Sequence, residues 1–72
     1  NIRVNCIVPG WIMTERQKKL WLTPAIEKET LNRQCIKRLL YPNDISKVVL
    51  FFASNQSSGI SAQSYVVDGG IV

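Results

Sequence analysis

Three features of this 72-residue sequence predict an α/β fold built on a parallel sheet. Residues 2–8, IRVNCIV, alternate as a strand and stop at Pro9-Gly10. Residues 63–67, QSYVV, form a second apolar run, halted by Asp68-Gly69-Gly70. Helical stretches lie between them. Strand, helices, strand at that separation is a βαβ crossover, whose strands run parallel and whose connection is right-handed. A parallel pair is normally covered on both faces. Two strands cannot arrange that alone, so the architecture asks for more sheet than these residues contain.

In the first strand, Ile2, Val4, Cys6 and Val8 fall on one face, with Arg3, Asn5 and Ile7 on the other. Pro9 has no amide hydrogen, so the ladder is expected to end there. Gly10 permits an abrupt change of direction. Trp11, Ile12 and Met13 follow at once, then Thr14-Glu15, which a plain surface turn would not need. A short helix is expected over 15–21. Thr23-Pro24 supplies a hydroxyl N-cap and a proline at the first helical position, starting a helix from 24 to about 36. Glu27 and Glu29 suit its positive end. The apolar stripe of Ile26, Leu31 and Ile36 is thin, so these helices cover something without forming a core of their own. Pro42 begins a third helix running to 54, with Asn43 and Asp44 in its first turn. Ile45, Val48, Val49 and Phe52 keep the spacing of a buried face. Ser46, Lys47 and Ser54 form a narrow polar wedge, with Leu50 inside it and Phe51 on its flank. Asn55 and the polar run QSSG end the helix.

Composition is globular, 46% hydrophobic and 19% charged. One small core is the most such a chain can hold, and the isolated segment is not expected to form a stable monomer. No stretch approaches the ~20 apolar residues of a membrane helix. The chain begins at Asn1 with no charged region leading into an apolar one, so no signal peptide is expected and the sequence reads as a piece of a longer chain. Two distant cysteines and no histidine argue against a zinc site and against a disulfide framework. Cys6 reads by default as a small buried hydrophobe, and the reducing cytoplasm is the expected location. The net charge of +4 sits in residues 15–38, where seven bases face three acids. Solvated helix faces account for that. A basic nucleic-acid-binding module is the alternative, but no interleaved aromatics or recognition-helix pattern supports it.

Two blocks resemble the short-chain dehydrogenase/reductase family. IRVNCIVPGWIMT is similar to the family's late strand and cofactor corner, I-R-V-N-x-(V/I)-x-P-G-x-(I/V)-x-T. YPNDISKVVLFFASNQSSGISAQSYVVDGG is similar to its final helix and strand, where P-x-D-I-A, F-L-A-S and V-D-G-G recur. Together they cover more than half the chain in the family's order. The resemblance implies the C-terminal part of a Rossmann-type doubly wound sheet: strand and nicotinamide corner (1–14), substrate lid (15–40), last helix and strand (42–72). It implies NAD or NADP as cofactor. Pro9 and Gly10 would pack beside the nicotinamide, with Gly10 leaving room for the ring. The Ile12 backbone would pair with the carboxamide, and the Thr14 hydroxyl would bond the carboxamide or pyrophosphate. The family's Gly-rich phosphate loop, catalytic Ser and Tyr-x-x-x-Lys are absent, since neither Tyr41 nor Tyr65 is followed by Lys at the fourth position. No catalytic residue is therefore expected in this segment, which alone should be inactive.

GWIMTERQKKLW, LNRQC and SAQSYVVDGG further resemble a subgroup that oxidises aldoses at C1 to lactones. Most of the family has Thr-Gly-Gln before the last strand, where this chain has Ser61-Ala62-Gln63. In that subgroup's chemistry, Trp11 and Trp21 would offer flat faces to sugar C–H groups while Glu15, Arg16 and Gln17 meet hydroxyls. Alternatively, both tryptophans merely close a lid over the core. A homo-oligomer, dimer or tetramer, is expected through Leu50, Phe51 and Tyr65 on the last helix and strand. No metal, membrane or nucleic-acid partner is expected beside the alcohol or sugar substrate. The rival reading is a non-catalytic, truncated family member that pairs with full-length subunits.

Overall fold

A computed structural model describes residues 1–71. The element order is β1 (Cys6–Pro9), α1 (Glu15–Leu20), α2 (Pro24–Arg33), α3 (Pro42–Ala53), a 3-10 turn (Asn55–Ser57) and β2 (Ser64–Val67). β1 and β2 pair in parallel, with Cys6 opposite Ser64 and Pro9 opposite Val67. The crossover expected from the sequence is thus present, as part of a Rossmann-type layer.

Both strands are shorter than their apolar runs. Ala62 carries φ +59°, which takes the chain out of extended geometry just before β2. Ahead of β1 only the Val4 backbone is tied to this turn: its carbonyl accepts from Ala62 N at 2.8 Å and its amide donates to Ser61 Oγ at 3.2 Å. β1 ends at Pro9 as expected, with one further bond from the amide after it. Cys6 N donates to Gln63 O and Gly10 N to Val67 O, both at 2.8 Å, so even-numbered amides face β2. The nitrogen of Pro9 therefore points to the outer edge, where its missing hydrogen costs no bond to β2.

Periodicity separated the two faces of β1 without saying which is covered. Ile2, Val4, Cys6 and Val8 are the exposed set, while Arg3, Asn5 and Ile7 are partly covered and border a recess with Val49, Phe52 and Ala53 of α3. Cys6 is accordingly an exposed thiol, not a buried hydrophobe. One sheet face is covered and the other, apolar, lies open, as a parallel pair short of its layer must be.

Arg3 explains why its face turns inward. Its guanidinium donates to the carbonyls of Phe52, Ser54, Ser57 and Ile60 at 2.9–3.3 Å and to Ser57 Oγ at 3.1 Å. These carbonyls lie at the end of α3 and in the turn after it, and each also accepts from a second donor, so the guanidinium adds to bonds already made there. Ser57, fully buried, returns a bond to Phe52 O at 3.0 Å.

α2 stops three residues before the expected 36. Residues 34–36 leave the helix to meet the end of the chain: Cys35 N donates to Gly70 O at 2.8 Å and Ile36 N to Gly69 O at 2.9 Å. Asp68-Gly69-Gly70 turns there with both glycines at positive φ, +73° and +74°, while Asp68 Oδ1 accepts from Gly70 N at 2.8 Å.

Candidate functional site

The corner after β1 is built at the carboxyl edge of the sheet, where open α/β folds bind their ligands. Gly10 is there because Asp68 is close: a Cβ on Gly10 would lie 2.6 Å from Asp68 Cβ and 2.7 Å from its Cα. The direction a Cβ would take is filled by β2's own end, which by itself requires a glycine here.

Beyond Gly10 the chain runs past residue 40. Ile12 bridges Leu40 in parallel, and Met13 N donates to Leu40 O at 2.7 Å. Met13 and Leu40 are the buried hydrophobic residues among those described. Segment 13–40 therefore leaves the body and returns to it at this neck, with Cys35 and Ile36 tied separately to Gly70 and Gly69. Lys18 Nζ lies 5.2 Å over the Tyr41 ring, and Arg38 grips Asp44 with two bonds of 2.9 and 2.7 Å. Asp44 also accepts from Tyr41 N at 2.9 Å. The Arg38 bonds, with help from the Tyr41 amide, hold the Asp44 carboxyl well below the usual carboxylate range.

Within the corner, the Ile12 carbonyl accepts from Thr14 N at 3.0 Å, and the Ile12 amide has no hydrogen-bond partner among the described residues. Thr14 caps α1, its Oγ1 accepting from Gln17 N at 3.3 Å. That bond uses an oxygen lone pair and leaves the hydroxyl hydrogen available. Free donors thus stand at Ile12 and Thr14, two residues apart beside Pro9-Gly10.

The predicted lid residues divide. Trp11 is partly buried, its Nε1 donating to Gln17 Oε1 at 2.8 Å, and it faces α2 across a recess. Trp21, at the end of α1, is 58% exposed and does not line that recess. Glu15 is exposed and approaches Lys18 at 4.0 Å, while Arg16 is exposed. The two tryptophans are not brought to one surface with them.

Sequence reasoning missed Gln34. It is buried, with its Nε2 donating to Ile36 O at 3.0 Å and Arg38 O at 2.8 Å, and its Oε1 lacks a partner among the described residues. A Cβ on Gly69 would lie 2.8 Å from that Nε2, so the side chain packs directly against the Asp68-Gly69-Gly70 turn. Its position inside an expected helix gave no hint of this.

The basic excess of the lid is partly used locally. Lys37 Nζ donates to the α2 carbonyls of Leu31 and Asn32, at 2.7 and 3.3 Å, where a cation suits the helix end. Among the described residues no cluster could hold a metal ion, and no helix is long and apolar enough to cross a membrane.

A family profile described as Enoyl-(Acyl carrier protein) reductase matches residues 1–72. A probable galactose dehydrogenase of Rhizobium meliloti is 48% identical over 99% of this chain. A D-xylose 1-dehydrogenase of Caulobacter vibrioides is 40% identical over 97% of it. The chain spans 28% of the length of each. A solved 7α-hydroxysteroid dehydrogenase, complexed with NADH and 7-oxo glycochenodeoxycholic acid, superposes with TM-score 0.88 at 44% identity, over 100% of this chain and 28% of its own.

Proposed function

The chain belongs to the short-chain dehydrogenase/reductase family, and from that premise we propose that it forms the nicotinamide corner (1–14), substrate lid (15–40) and closing helix and strand (42–72) of an NAD(P)-dependent oxidoreductase acting on CH–OH groups. Its substrate in this reading is an aldose, oxidised at C1 to a lactone. The carrying observation is the donor set at the sheet's carboxyl edge, the unpartnered Ile12 amide beside the unspent Thr14 hydroxyl hydrogen. That set fits the planar amide and the phosphates of a nicotinamide dinucleotide, which need rigidly held donors. When bound, such a cofactor supplies the hydride-accepting ring. Pro9 and Gly10 would wall it, the Ile12 backbone would orient its carboxamide, and Thr14 would donate to the carboxamide or pyrophosphate. The family's proton-moving Ser, Tyr and Lys have no counterpart among these residues and would lie elsewhere in the intact enzyme.

The sugar reading is supported by the galactose and xylose dehydrogenases among its relatives; the steroid dehydrogenase offers the rival substrate class. Turnover of aldoses against hydroxysteroids by the intact enzyme separates them. For the corner, Thr14→Val should raise the cofactor Kd about two- to tenfold, the loss of one neutral hydrogen bond of about 0.5–1.5 kcal/mol. Thr14→Ser, which keeps both the cap and the donor, should restore it. An unchanged Kd in the valine variant removes Thr14 from the site.

Assembly belongs to the same reading. Leu50 is 70% exposed, and Phe51 and Tyr65 border an apolar groove of about 330 Å³ between α3 and β2. Phe52 packs edge-on against Tyr65 at 5.8 Å, which holds this face rigid. An isologous contact between copies would cover it. Light scattering should show the Leu50→Lys, Phe51→Glu double variant dissociated; an unchanged mass would exclude this face.

A further inference from the structure

We infer that the recess between Trp11 and α2 is a subsite for the hydroxyl-bearing end of a polyhydroxylated substrate, remote from the carbon that reacts. It rests on the aldose reading above. The recess has a volume of about 270 Å³ and is lined by Trp11, Glu29, Thr30, Arg33 and Ile71. None of the polar three was among the residues expected to meet substrate.

The lining combines an apolar plate with convergent polar groups, the composition of a small-molecule site. Because Trp11 Nε1 is held by Gln17 at 2.8 Å, the indole edge is fixed and the ring itself borders the recess. Glu29 and Arg33 stand four residues apart on α2, a spacing and order that favour an ion pair. Yet neither makes one among the described residues, and the Thr30 hydroxyl has no partner there either. An accepting carboxylate, a donating guanidinium and a hydroxyl that does both therefore surround one space. A ring with neighbouring hydroxyls satisfies acceptor and donor together while its C–H face lies on the indole. A largely apolar substrate would strip water from Glu29 and Arg33 and return nothing. Trp11 follows Gly10 directly, so the subsite adjoins the nicotinamide corner.

The test uses the intact enzyme, with aldose binding measured by titration calorimetry and turnover measured in parallel. Glu29→Gln and Arg33→Ala are each expected to weaken aldose binding about tenfold and to raise KM by the same factor. They should leave kcat within about twofold and the cofactor Kd unchanged. Both residues are exposed helix positions, so folding should survive, which circular dichroism checks. If the parent binds and oxidises aldoses and both variants bind them equally well, the subsite is overturned while the aldose reading stands. If the parent neither binds nor oxidises any aldose but turns over hydroxysteroids, both fall together.

Discussion

At the amino edge of the sheet, the Arg3 guanidinium donates to four backbone carbonyls and a hydroxyl; at the carboxyl edge, the Gln34 amide donates to two carbonyls and leaves its own oxygen unpartnered among the described residues. Both side chains fasten backbone where the chain leaves a helix. Arg3 brings donors only, and its partners are all acceptors, so that knot is closed. Gln34 brings donors and an acceptor to a place that offers only carbonyls, so its knot is one bond short. The difference follows the division of labour in an open α/β sheet, where the carboxyl edge meets ligands and the amino edge is scaffold. A saturated tie suits scaffold. A tie with an orphaned acceptor is cheaper to open, and it holds the segment that leads from α2 back to the neck.

Breaking the stronger tie should have the larger effect. Arg3→Met keeps the long apolar stem but removes every guanidinium bond, leaving the carbonyls of Phe52, Ser54, Ser57 and Ile60 with only their other donors. The expected loss in the intact enzyme is about 2 kcal/mol of global stability, within the cost of losing bonds to a charged group. Urea unfolding measures it through the midpoint at constant slope. Stability equal to wild type would mean that the Arg3 contacts are incidental to the scaffold.

Gln34→Leu should cost less and act more locally. It deletes the two donated bonds, yet it also removes the buried unpartnered oxygen, and those effects oppose one another. A net loss of about 1 kcal/mol is expected, concentrated in segment 15–38. Hydrogen exchange would show amides of α1 and α2 losing protection while those of α3 keep it. Equal loss in both regions would erase the distinction between a closed and an adjustable edge.

What the sequence disclosed, and what it hid, follows the range of the interaction. Thr23-Pro24 and Pro42 marked helix starts correctly because a cap is made by residues within one turn of each other, whereas the cap made by Thr14 was not read from the sequence. The parallel pairing was legible from the order of apolar runs and helices. Which face of β1 is covered was not, because periodicity separates faces without saying where the helix packs. Arg3 gave no sign of its role, since its partners lie 49 to 57 residues away and are backbone carbonyls that any sequence supplies. Gln34 was hidden for the same reason: α2 ends by pairing with Gly69 and Gly70, without a glycine or proline of its own to mark the stop. At the corner, Pro9-Gly10 and Thr14 were read as cofactor contacts from resemblance, whereas the close approach of Asp68 to Gly10 required coordinates.

The smallest expected effect comes from Ala62, where most of the family has glycine, and it sharpens the view of the amino edge as scaffold. Ala62 sits at φ +59°, left-handed geometry in which an L-residue's Cβ crowds the following carbonyl. Its amide is nevertheless committed to Val4 O at 2.8 Å, just ahead of β2, so the turn cannot relax without releasing the start of the sheet. A glycine there escapes a crowding cost of roughly 1–2 kcal/mol. It also gives the unfolded chain more freedom, which takes back about 0.4–1 kcal/mol. Ala62→Gly should therefore stabilise the intact enzyme by about 0.5 kcal/mol, a rise in Tm of about 1–2 °C for a domain of ordinary size. Aldose KM and cofactor Kd should not move, because the turn lies at the edge away from the corner. A lower Tm would show that Ala62 is not strained. An altered cofactor Kd would show that the amino edge is coupled to the site and is not scaffold alone.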